Sequence, residues 1–211
     1  ATATFSHLYQ LCTSAGRSAL TTGQAAHARM LVSGFVPTTF VSNCLLQMYA
    51  RCGGTAHARG VFDRMPHRDT VSWNTMLTAY VHAGDTDTAA SLFGTMPDPD
   101  VVSWNTLISG YCQRGMFRNS VGLSMEMSRR GVALDRTTLA VLLKSCGGLD
   151  DLALGVQIHA LAVKTGLEMD VRAGSALVDM YGKCRSLDDA LRFFHGMGER
   201  NSVSWGAAIA G

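Results

Sequence analysis

The sequence Val-Ser-Trp-Asn-Thr occupies residues 71–75 and recurs unchanged at residues 102–106, and a diverged copy, Val-Ser-Trp-Gly-Ala, occupies residues 203–207. The first two tryptophans are 31 positions apart, and the third follows the second after 101 positions. Self-similarity at a period of about 31–35 residues is typical of proteins built from stacked repeats. We therefore expect residues 1–211 to form one repeat domain instead of a globular enzyme.

The composition favours a folded protein without a membrane span. Of the 211 residues, 47% are hydrophobic and 16% are charged, which is far from the composition of disordered chains. No apolar run approaches the roughly 20 residues needed to cross a bilayer, so we expect no membrane partner. The formal charge of +2 neither requires nor excludes nucleic acid. The first residues resemble no leader, so we expect any transit peptide to have been removed or to lie outside this sequence.

The six cysteines predict packing and not metal binding. No C-x-x-C pair is present, so a zinc site has no local scaffold. Cys12 and Cys146 share one register of the repeat, and Cys52 and Cys184 share another. We therefore expect buried, reduced thiols, with no metal and no cofactor.

Two amphipathic helices are predicted in each repeat. In residues 70–100 the apolar side chains follow the spacing i, i+3, i+4, i+7 twice, at Trp73, Met76, Leu77 and Tyr80 and then at Ala89, Leu92, Phe93 and Met96. Glycines between the two stripes suit a helix end and a tight turn. Alignment on the recurring aromatic residues divides the chain into segments 2–38, 39–69, 70–100, 101–135, 136–170, 171–201 and the incomplete 202–211.

These motifs resemble the pentatricopeptide-repeat family, in particular its plant class of mixed standard, long and short repeats (the PLS class). Further matching motifs lie at residues 47–53, 61–69, 155–160 and 179–184, so the resemblance covers essentially the whole chain. It implies an all-α, right-handed superhelical α-solenoid of helix-turn-helix repeats. The repeats would be long (2–38), short (39–69 and 70–100), standard (101–135), long (136–170), short (171–201) and truncated (202–211).

The resemblance also implies sequence-specific binding of single-stranded RNA, one base per repeat, by the fifth and last residues of each repeat. The predicted base-reading pairs are Asn43 with Asp69, Asn74 with Asp100, Asn105 with Asp135 and Ser175 with Asn201; two weaker pairs are Ser6 with Thr38 and Ala140 with Asp170. An Asn amide offers a donor and an acceptor to uracil, and a nearby Asp can orient the amide. The predicted footprint is 5′-NUUUNA-3′.

Other side chains receive supporting roles. Four residues near helix starts are predicted to sandwich bases: Phe40, Val71, Val102 and Arg172. Arg51 and Lys183 share a register and are candidates for phosphate contacts. The three tryptophans are expected in the core, as their helical spacing indicates. The competing interpretation of the Asn, Asp and Ser residues is ordinary helix capping.

No enzyme signature accompanies the repeats. None of the seven histidines is followed two places later by Glu, as a zinc deaminase would require, and no phosphate loop is present. We therefore expect a non-enzymatic recognition part of an RNA-processing factor of the mitochondrion or chloroplast, with C-to-U editing as the favoured process. Editing cofactor proteins are possible partners.

The alternative is a protein-interaction scaffold that docks such cofactors. RNA retention at low salt distinguishes the two functions. The apolar face of the truncated repeat, with Trp205, Ala208 and Ile209, also predicts self-association through that end.

Overall fold

The structure is a computed structural model that describes residues 2–167 and 170–210, and within these ranges every regular element is helical. The prediction of an all-α repeat fold is confirmed. A short 3-10 helix spans Gly16–Ala19. The α-helices are α1 (Thr2–Ala15), α2 (Leu20–Val32), α3 (Thr39–Arg51), α4 (Thr55–Arg64), α5 (Thr70–Ala83), α6 (Thr86–Gly94), α7 (Val101–Gln113), α8 (Phe117–Arg129), α9 (Arg136–Leu149), α10 (Leu152–Thr165), α11 (Val171–Lys183), α12 (Leu187–Gly196) and α13 (Ser202–Ala210).

The helices differ in length in a regular way. Each predicted complete repeat contains two α-helices, and the first of the two has 13 or 14 residues. The second helix has 9 or 10 residues in α4, α6 and α12 but 13 or 14 in α2, α8 and α10. The difference in repeat length therefore lies mainly in the second helix and the segment that follows it.

Aspartates begin several of the first helices. Asp69 caps α5, Asp135 caps α9 and Asp170 caps α11, each by accepting hydrogen bonds from backbone N–H groups of the first turn. At Asp69 the cap is reciprocal, because the Ser72 hydroxyl accepts the Asp69 N–H while the Asp69 side chain accepts the Ser72 N–H. Capping is thus a real role of these residues, whatever else they bind.

The turn after α11 contains a non-glycine residue in a left-handed conformation. Arg185 has φ 59°, whereas Gly84 occupies the corresponding turn after α5 with φ 78°. The two turns make the same hydrogen bonds, since Ser186 N–H donates to Tyr181 O at 2.9 Å and Asp85 N–H donates to Tyr80 O at 3.0 Å. The backbone of the turn is therefore the same in both places. At Arg185 this conformation is less favourable than at a glycine, because the side chain is crowded against the backbone.

The chain forms two compact units, residues 1–107 and 108–211, each with its own apolar interior. Leu45 and Leu77 are among the fully buried side chains of the first unit, and Leu143 and Leu177 among those of the second. All six cysteines are buried and free, as the sequence predicts. These thiols therefore serve packing.

Each tryptophan stacks edge-on against the phenylalanine of the preceding helix. The ring centroids are 4.9 Å apart for Phe62 and Trp73 and 4.8 Å apart for Phe93 and Trp104. Trp104 is fully buried, as expected, but Trp205 is 53% exposed. The expectation of a core position is therefore wrong for Trp205, whose ring meets Phe194 edge-on at a centroid distance of 4.8 Å and is otherwise largely open to solvent.

The same close helix contact occurs once in each unit. A Cβ atom at Gly23 would overlap Met48 Sδ, and a Cβ atom at Gly155 would overlap Met180 Sδ. Near each contact a histidine of the second helix meets a tyrosine of the next helix, at 2.9 Å for His27 Nδ1 and Tyr49 Oη. The corresponding His159–Tyr181 distance is 2.7 Å. These histidines are hydrogen-bonded packing groups.

Neither a membrane-spanning helix nor a cluster of metal ligands is present among the described residues. None of the described helices combines the length and the hydrophobicity that a membrane span requires. Within residues 2–167 and 170–210, no group of three or more His, Cys, Asp or Glu side chains is placed to hold a metal ion.

Candidate nucleic-acid interface

Asn74 and Asp100 are in direct contact in the first unit. Asn74 lies in the second turn of α5, and its Nδ2 donates to Asp100 Oδ1 at 3.1 Å. The Ser103 hydroxyl lies 2.6 Å from Asn74 Oδ1 and 2.8 Å from the same Asp100 Oδ1, so the serine and the aspartate meet along one edge of the amide. The amide is therefore held at both its nitrogen and its oxygen.

Asn43 and Asp69 repeat this arrangement one helix pair earlier. Asn43 Nδ2 approaches both carboxylate oxygens of Asp69, at 3.0 and 3.1 Å, and the Ser72 hydroxyl lies 2.7 Å from Asn43 Oδ1. Asn43 is more enclosed than Asn74, since it is only 7% exposed whereas Asn74 is half-buried. Its environment is polar, because Asp69 and Ser72 surround the amide.

The two carboxylates are held in the charged form. Burial raises the pKa of Asp69, but hydrogen bonds from the Ser72 N–H, the Asn43 amide and the Ser72 hydroxyl outweigh burial and leave the pKa below its ordinary value. The pKa of Asp100 is lowered in the same way, with burial opposing the hydrogen bonds from Ser103 and Asn74. An ionised carboxylate only accepts hydrogen bonds, so each Asn must turn its nitrogen toward the Asp.

Sequence reasoning assigned no role to Ser72 and Ser103. Both hydroxyls are fully buried, and each bridges the asparagine and the aspartate of the preceding repeat. The available signal was the recurrence of Ser in the motifs at 71–75 and 102–106. That recurrence is equally expected of a serine that only caps a helix, so the pattern alone could not reveal the bridge.

The third Asn/Asp pair has one member in each unit. Asn105 lies on α7 in the first unit, in the place that Asn74 holds on α5, and it is half-buried. Asp135 caps α9 in the second unit, where Thr138 takes the place of the two serines. The Thr138 hydroxyl donates to Asp135 Oδ1 at 2.9 Å, and the Thr138 N–H donates to the same oxygen at 2.8 Å.

Ser175 and Asn201 are also in contact, in the second unit. The Ser175 hydroxyl is 3.3 Å from Asn201 Oδ1 but only 2.7 Å from the Val171 carbonyl oxygen of its own helix. Asn201 Oδ1 in turn accepts the Ser204 N–H at 2.8 Å. The hydroxyl is therefore shared between its own backbone and its predicted partner.

The two weaker pairs show no comparable arrangement. Ala140 has no polar side-chain atom, and Asp170 instead caps α11 and lies 3.7 Å from the Arg136 guanidinium. Ser6 donates to the Ala3 carbonyl oxygen at 3.2 Å, whereas Thr38 caps α3. These residues occupy the predicted register, but these hydrogen bonds lie within their own helices and caps.

A groove of about 740 Å³ in the first unit brings together three kinds of predicted site residue. Its lining includes the base-reading candidate Asn74, the sandwiching candidate Val71 and the phosphate candidate Arg51. His82 lines the groove as well, at the same place on α5 that Arg51 holds on α3. The groove therefore offers an amide, an apolar surface and a cation within one opening.

The other predicted residues are exposed on the first helices. Phe40, Val71, Val102 and Arg172 are all exposed, in the first turn of their helices. Val203 has the same position and exposure on α13, although sequence reasoning did not select it. Lys183 Nζ lies 2.6 Å from Asp179 Oδ2 in an exposed ion pair, so a phosphate would compete with Asp179 for this lysine.

The known proteins that resemble this chain share its repeat. The profile of the PPR repeat matches residues 40–69, 71–98 and 175–202, and a second profile of the PPR repeat family matches residues 99–148. The chain belongs to the pentatricopeptide-repeat family. This membership accounts for the spacing of the tryptophan motifs and for the paired helices.

Curated relatives of this pentatricopeptide-repeat chain come from Arabidopsis thaliana. The pentatricopeptide repeat-containing protein At3g02330, named as mitochondrial, is 54% identical over 210 residues, which cover 100% of the chain and 23% of that protein. The pentatricopeptide repeat-containing protein At2g13600 is 52% identical over 183 residues, which cover 87% of the chain and 26% of that protein. The chain thus spans about a quarter of the length of these relatives.

Solved structures of a maize pentatricopeptide repeat protein, PPR10, have the same fold. The crystal structure of PPR10 from maize matches 99% of the chain and 31% of PPR10, with a TM-score of 0.73 at 21% sequence identity. The structure of PPR10 with an 18-nt psaJ RNA element matches 98% of the chain and 31% of PPR10, with a TM-score of 0.78 at 20% identity. At this level of sequence identity, the structural similarity shows only that the pentatricopeptide-repeat chain and PPR10 share a fold.

Proposed function

We propose that this chain binds single-stranded RNA and selects one base per helix pair through the side chains at the fifth and last positions of each repeat. The observation that carries the proposal is the groove of the first unit, where Asn74, Val71 and Arg51 line one opening. These side chains supply base-edge hydrogen bonding, an apolar surface for a base and a charge for phosphate, which single-stranded RNA recognition requires. The RNA complex of PPR10 supports the same ligand class.

The base preferences follow from the pairs in chain order. The Asn/Asp pairs at 43/69, 74/100 and 105/135 select uracil, and the Ser175/Asn201 pair selects adenine. Ala140 leaves its repeat without a reader, and the repeat of Ser6 and Thr38 contributes little selection. The resulting site is 5′-NUUUNA-3′, with the first nucleotide at the first repeat.

We further propose that the chain is the recognition part of an organellar RNA-processing factor of the PLS class, acting in C-to-U editing. The short second helices α4, α6 and α12 beside the longer α2, α8 and α10 support a mixture of short and long repeats. Relatives named as mitochondrial or chloroplastic support an organellar location. The editing chemistry is assigned to another part of the protein or to a partner.

A pair exchange tests the base assignment. Replacing Asn74 with Ser and Asp100 with Asn transfers the Ser175/Asn201 combination to the third base, and the preferred third base changes from uracil to adenine. The measurement is equilibrium binding of 5′-GUUUGA-3′ and 5′-GUAUGA-3′ at low salt, since affinity that depends on phosphate contacts falls as salt rises. Asp170→Asn is the matched control, because it replaces a cap with an equivalent cap in a repeat without a reader.

Two outcomes of this exchange would contradict the proposal. A chain that does not retain the uracil RNA at low salt does not have the proposed ligand. A chain that binds both RNAs equally, before and after the exchange, does not use these positions as readers. Selection from a random RNA pool, compared with the site stated above, examines all six repeats at once.

Docking of a protein cofactor is the second candidate function, and it concerns the second unit. Leu152, Val156 and Val163 are exposed along α10, in the repeat whose fifth residue is Ala140. An exposed apolar surface on a repeat that offers no base reader favours a protein partner there. A Val156→Asp variant that keeps RNA affinity but loses a purified editing cofactor would support docking, and unchanged cofactor binding would oppose it.

A further inference from the structure

The fully buried serine at the third position of a repeat contacts the reading pair of the repeat before it. Ser72 Oγ lies 2.7 Å from Asn43 Oδ1, and Ser103 Oγ lies 2.6 Å from Asn74 Oδ1. Each serine also accepts the N–H of the aspartate in its own pair, at 3.3 Å for Asp69 and 3.2 Å for Asp100. The single proton of each hydroxyl lies between two acceptors, the asparagine oxygen and the Oδ1 of Asp69 or Asp100 at 2.8 Å, so the donation to the amide is shared with the carboxylate.

We propose that Ser72 and Ser103 are positioning residues that act together with Asp69 and Asp100 to fix the orientation of the Asn43 and Asn74 amides, and that they thereby strengthen the preference for uracil over cytosine. This inference rests on the proposed function. The two serines touch no base. They act through the asparagines, from the first helix of the following repeat.

The orientation of an amide matters because its two ends have nearly the same shape and opposite hydrogen-bonding character. An Asn that directs its oxygen at N3 of the base accepts from the uracil N3–H. Turned by half a rotation, the same side chain directs N–H there and donates to the cytosine N3, which carries no hydrogen. An asparagine that is free to rotate therefore accommodates both pyrimidines.

The cluster holds one of these orientations from both ends. The Asp carboxylate accepts from the amide nitrogen, and the serine hydroxyl donates to the amide oxygen. At Asn43 the two carboxylate contacts of 3.0 and 3.1 Å use one N–H, because both oxygens of one carboxylate lie in nearly the same direction from Nδ2 while the two N–H bonds diverge widely. Because the aspartate and serine oxygens are only 2.8 Å apart, they bond to the same edge of the amide, and the second N–H and second oxygen lone pair point away from each other. A base therefore contacts one of these two groups, and the orientation of the amide decides which one.

The residue at the third position varies with the pair that it follows. A hydroxyl follows each of the three Asn/Asp pairs, as Ser72, Ser103 and Thr138. The corresponding residues after the pairs Ser6/Thr38 and Ala140/Asp170 are Val41 and Ala173, which have no polar side-chain atom.

Ser204 shows that a hydroxyl at this position is not sufficient by itself. It follows the Ser175/Asn201 pair, where no amide occupies the fifth position, and its hydroxyl donates to the Asn201 backbone oxygen at 2.9 Å. Ser204 is therefore a matched control residue, since it is also fully buried and near a helix start but holds no asparagine side chain at the fifth position.

The test uses the 211-residue chain and three six-nucleotide RNAs: 5′-GUUUGA-3′, 5′-GCUUGA-3′ and 5′-GUCUGA-3′. Ser72→Ala is expected to lower the uracil-to-cytosine affinity ratio at the second base by about fivefold, which is the worth of one hydrogen bond, and to leave the ratio at the third base unchanged. Ser103→Ala has the opposite pattern, with the loss at the third base. Ser72→Thr retains the ratio, as the natural Thr138 suggests, and Ser204→Ala changes neither ratio.

The outcomes separate this inference from the proposed function and from a merely structural role. A parent chain without a uracil preference contradicts the proposed function itself. A parent chain with the preference, whose serine variants keep both ratios, contradicts only the positioning role. An equal loss of affinity for all three RNAs, accompanied by a lower melting temperature and not restored by Ser72→Thr, would mean that the hydroxyls serve folding alone.

Discussion

In the first unit, Asn43 and Asn74 each sit between an aspartate and a serine that contact the amide from opposite ends. In the second unit, the same register holds Ala140 and Ser175, and the aspartate beside Ala140 turns to its own helix. Aspartate caps a helix in both units, so capping cannot distinguish a proposed base-reading residue from a structural one. The distinguishing feature is the amide that shares the capping aspartate.

Removing the aspartates should have the largest effect, and the effect should differ between units. Asp100→Ala removes a helix cap and a partner of Asn74, so we expect a loss of about 2 kcal/mol in the free energy of unfolding and no remaining preference for uracil at the third base. Asp170→Ala should cost about 1 kcal/mol and leave base preference unchanged, because its exposed contact with Arg136 adds little.

Urea denaturation and binding of single-base RNA variants measure these two effects separately. If Asp170→Ala altered base preference as much as Asp100→Ala, the distinction between the two units would be wrong. If neither variant altered preference while both lost stability, capping would be the only role of these aspartates.

Building the missing cluster into the second unit is the converse experiment. Ala140→Asn combined with Ala173→Ser places an amide and a hydroxyl beside Asp170, as in the first unit. We expect a new preference for uracil at the fifth base of about fivefold, measured by binding of 5′-GUUUUA-3′ and 5′-GUUUCA-3′. Ala140→Asn alone is the control and should read the two pyrimidines more evenly. If the double variant bound the two RNAs equally, placing an amide at the fifth position and a hydroxyl at the third position of the next repeat would not be enough to create a preference for uracil.

The ionisation of Asp69 and Asp100 predicts a dependence of stability on pH. The pKa of each carboxyl lies below its ordinary value in the folded state, so each contributes stability that is present at pH values above the unfolded pKa, near 3.8. That contribution is lost as the pH falls through the lower, folded pKa. We expect the stability difference between the parent chain and Asp69→Asn/Asp100→Asn to be constant from pH 7 to about 5 and to shrink below about 4.

Urea denaturation at a series of pH values measures this difference. The variant retains good caps, since Asn serves as well as Asp at a helix start, so the comparison isolates the charge. A difference that stays constant down to pH 3 would mean that the hydrogen bonds of these carboxyls do not favour the ionised form.

Much of this architecture could be predicted from the sequence, because it depends on short-range patterns. The apolar spacing predicts both helices of each pair, and the family resemblance, which pairs the fifth and last residues of a repeat, predicts that Asn74 and Asp100 act together. The bridging role of Ser103 could not be predicted, because it depends on how one helix pair packs on the next. For the same reason periodicity predicts a core position for Trp205 but not its observed exposure, which depends on the helices that pack beside it.

The smallest predicted effect concerns the left-handed turn of the second unit. Arg185 has φ 59° where the first unit uses Gly84, and a side chain in this conformation costs about 1–2 kcal/mol. Arg185→Gly removes that strain but also gives the unfolded chain more conformational freedom, which offsets about 0.4–1 kcal/mol of the gain. We expect a net stabilisation of roughly 0.5 kcal/mol by urea denaturation.

The reciprocal change, Gly84→Ala, should destabilise the first unit by about 1 kcal/mol, because it introduces the same crowding at φ 78°. Neither change should alter base preference, since neither residue contacts a reading pair. If Arg185→Gly lowered stability instead, the arginine side chain would have to make a stabilising interaction that exceeds its backbone strain, and the second unit would then differ from the first in its turn chemistry as well as in its readers.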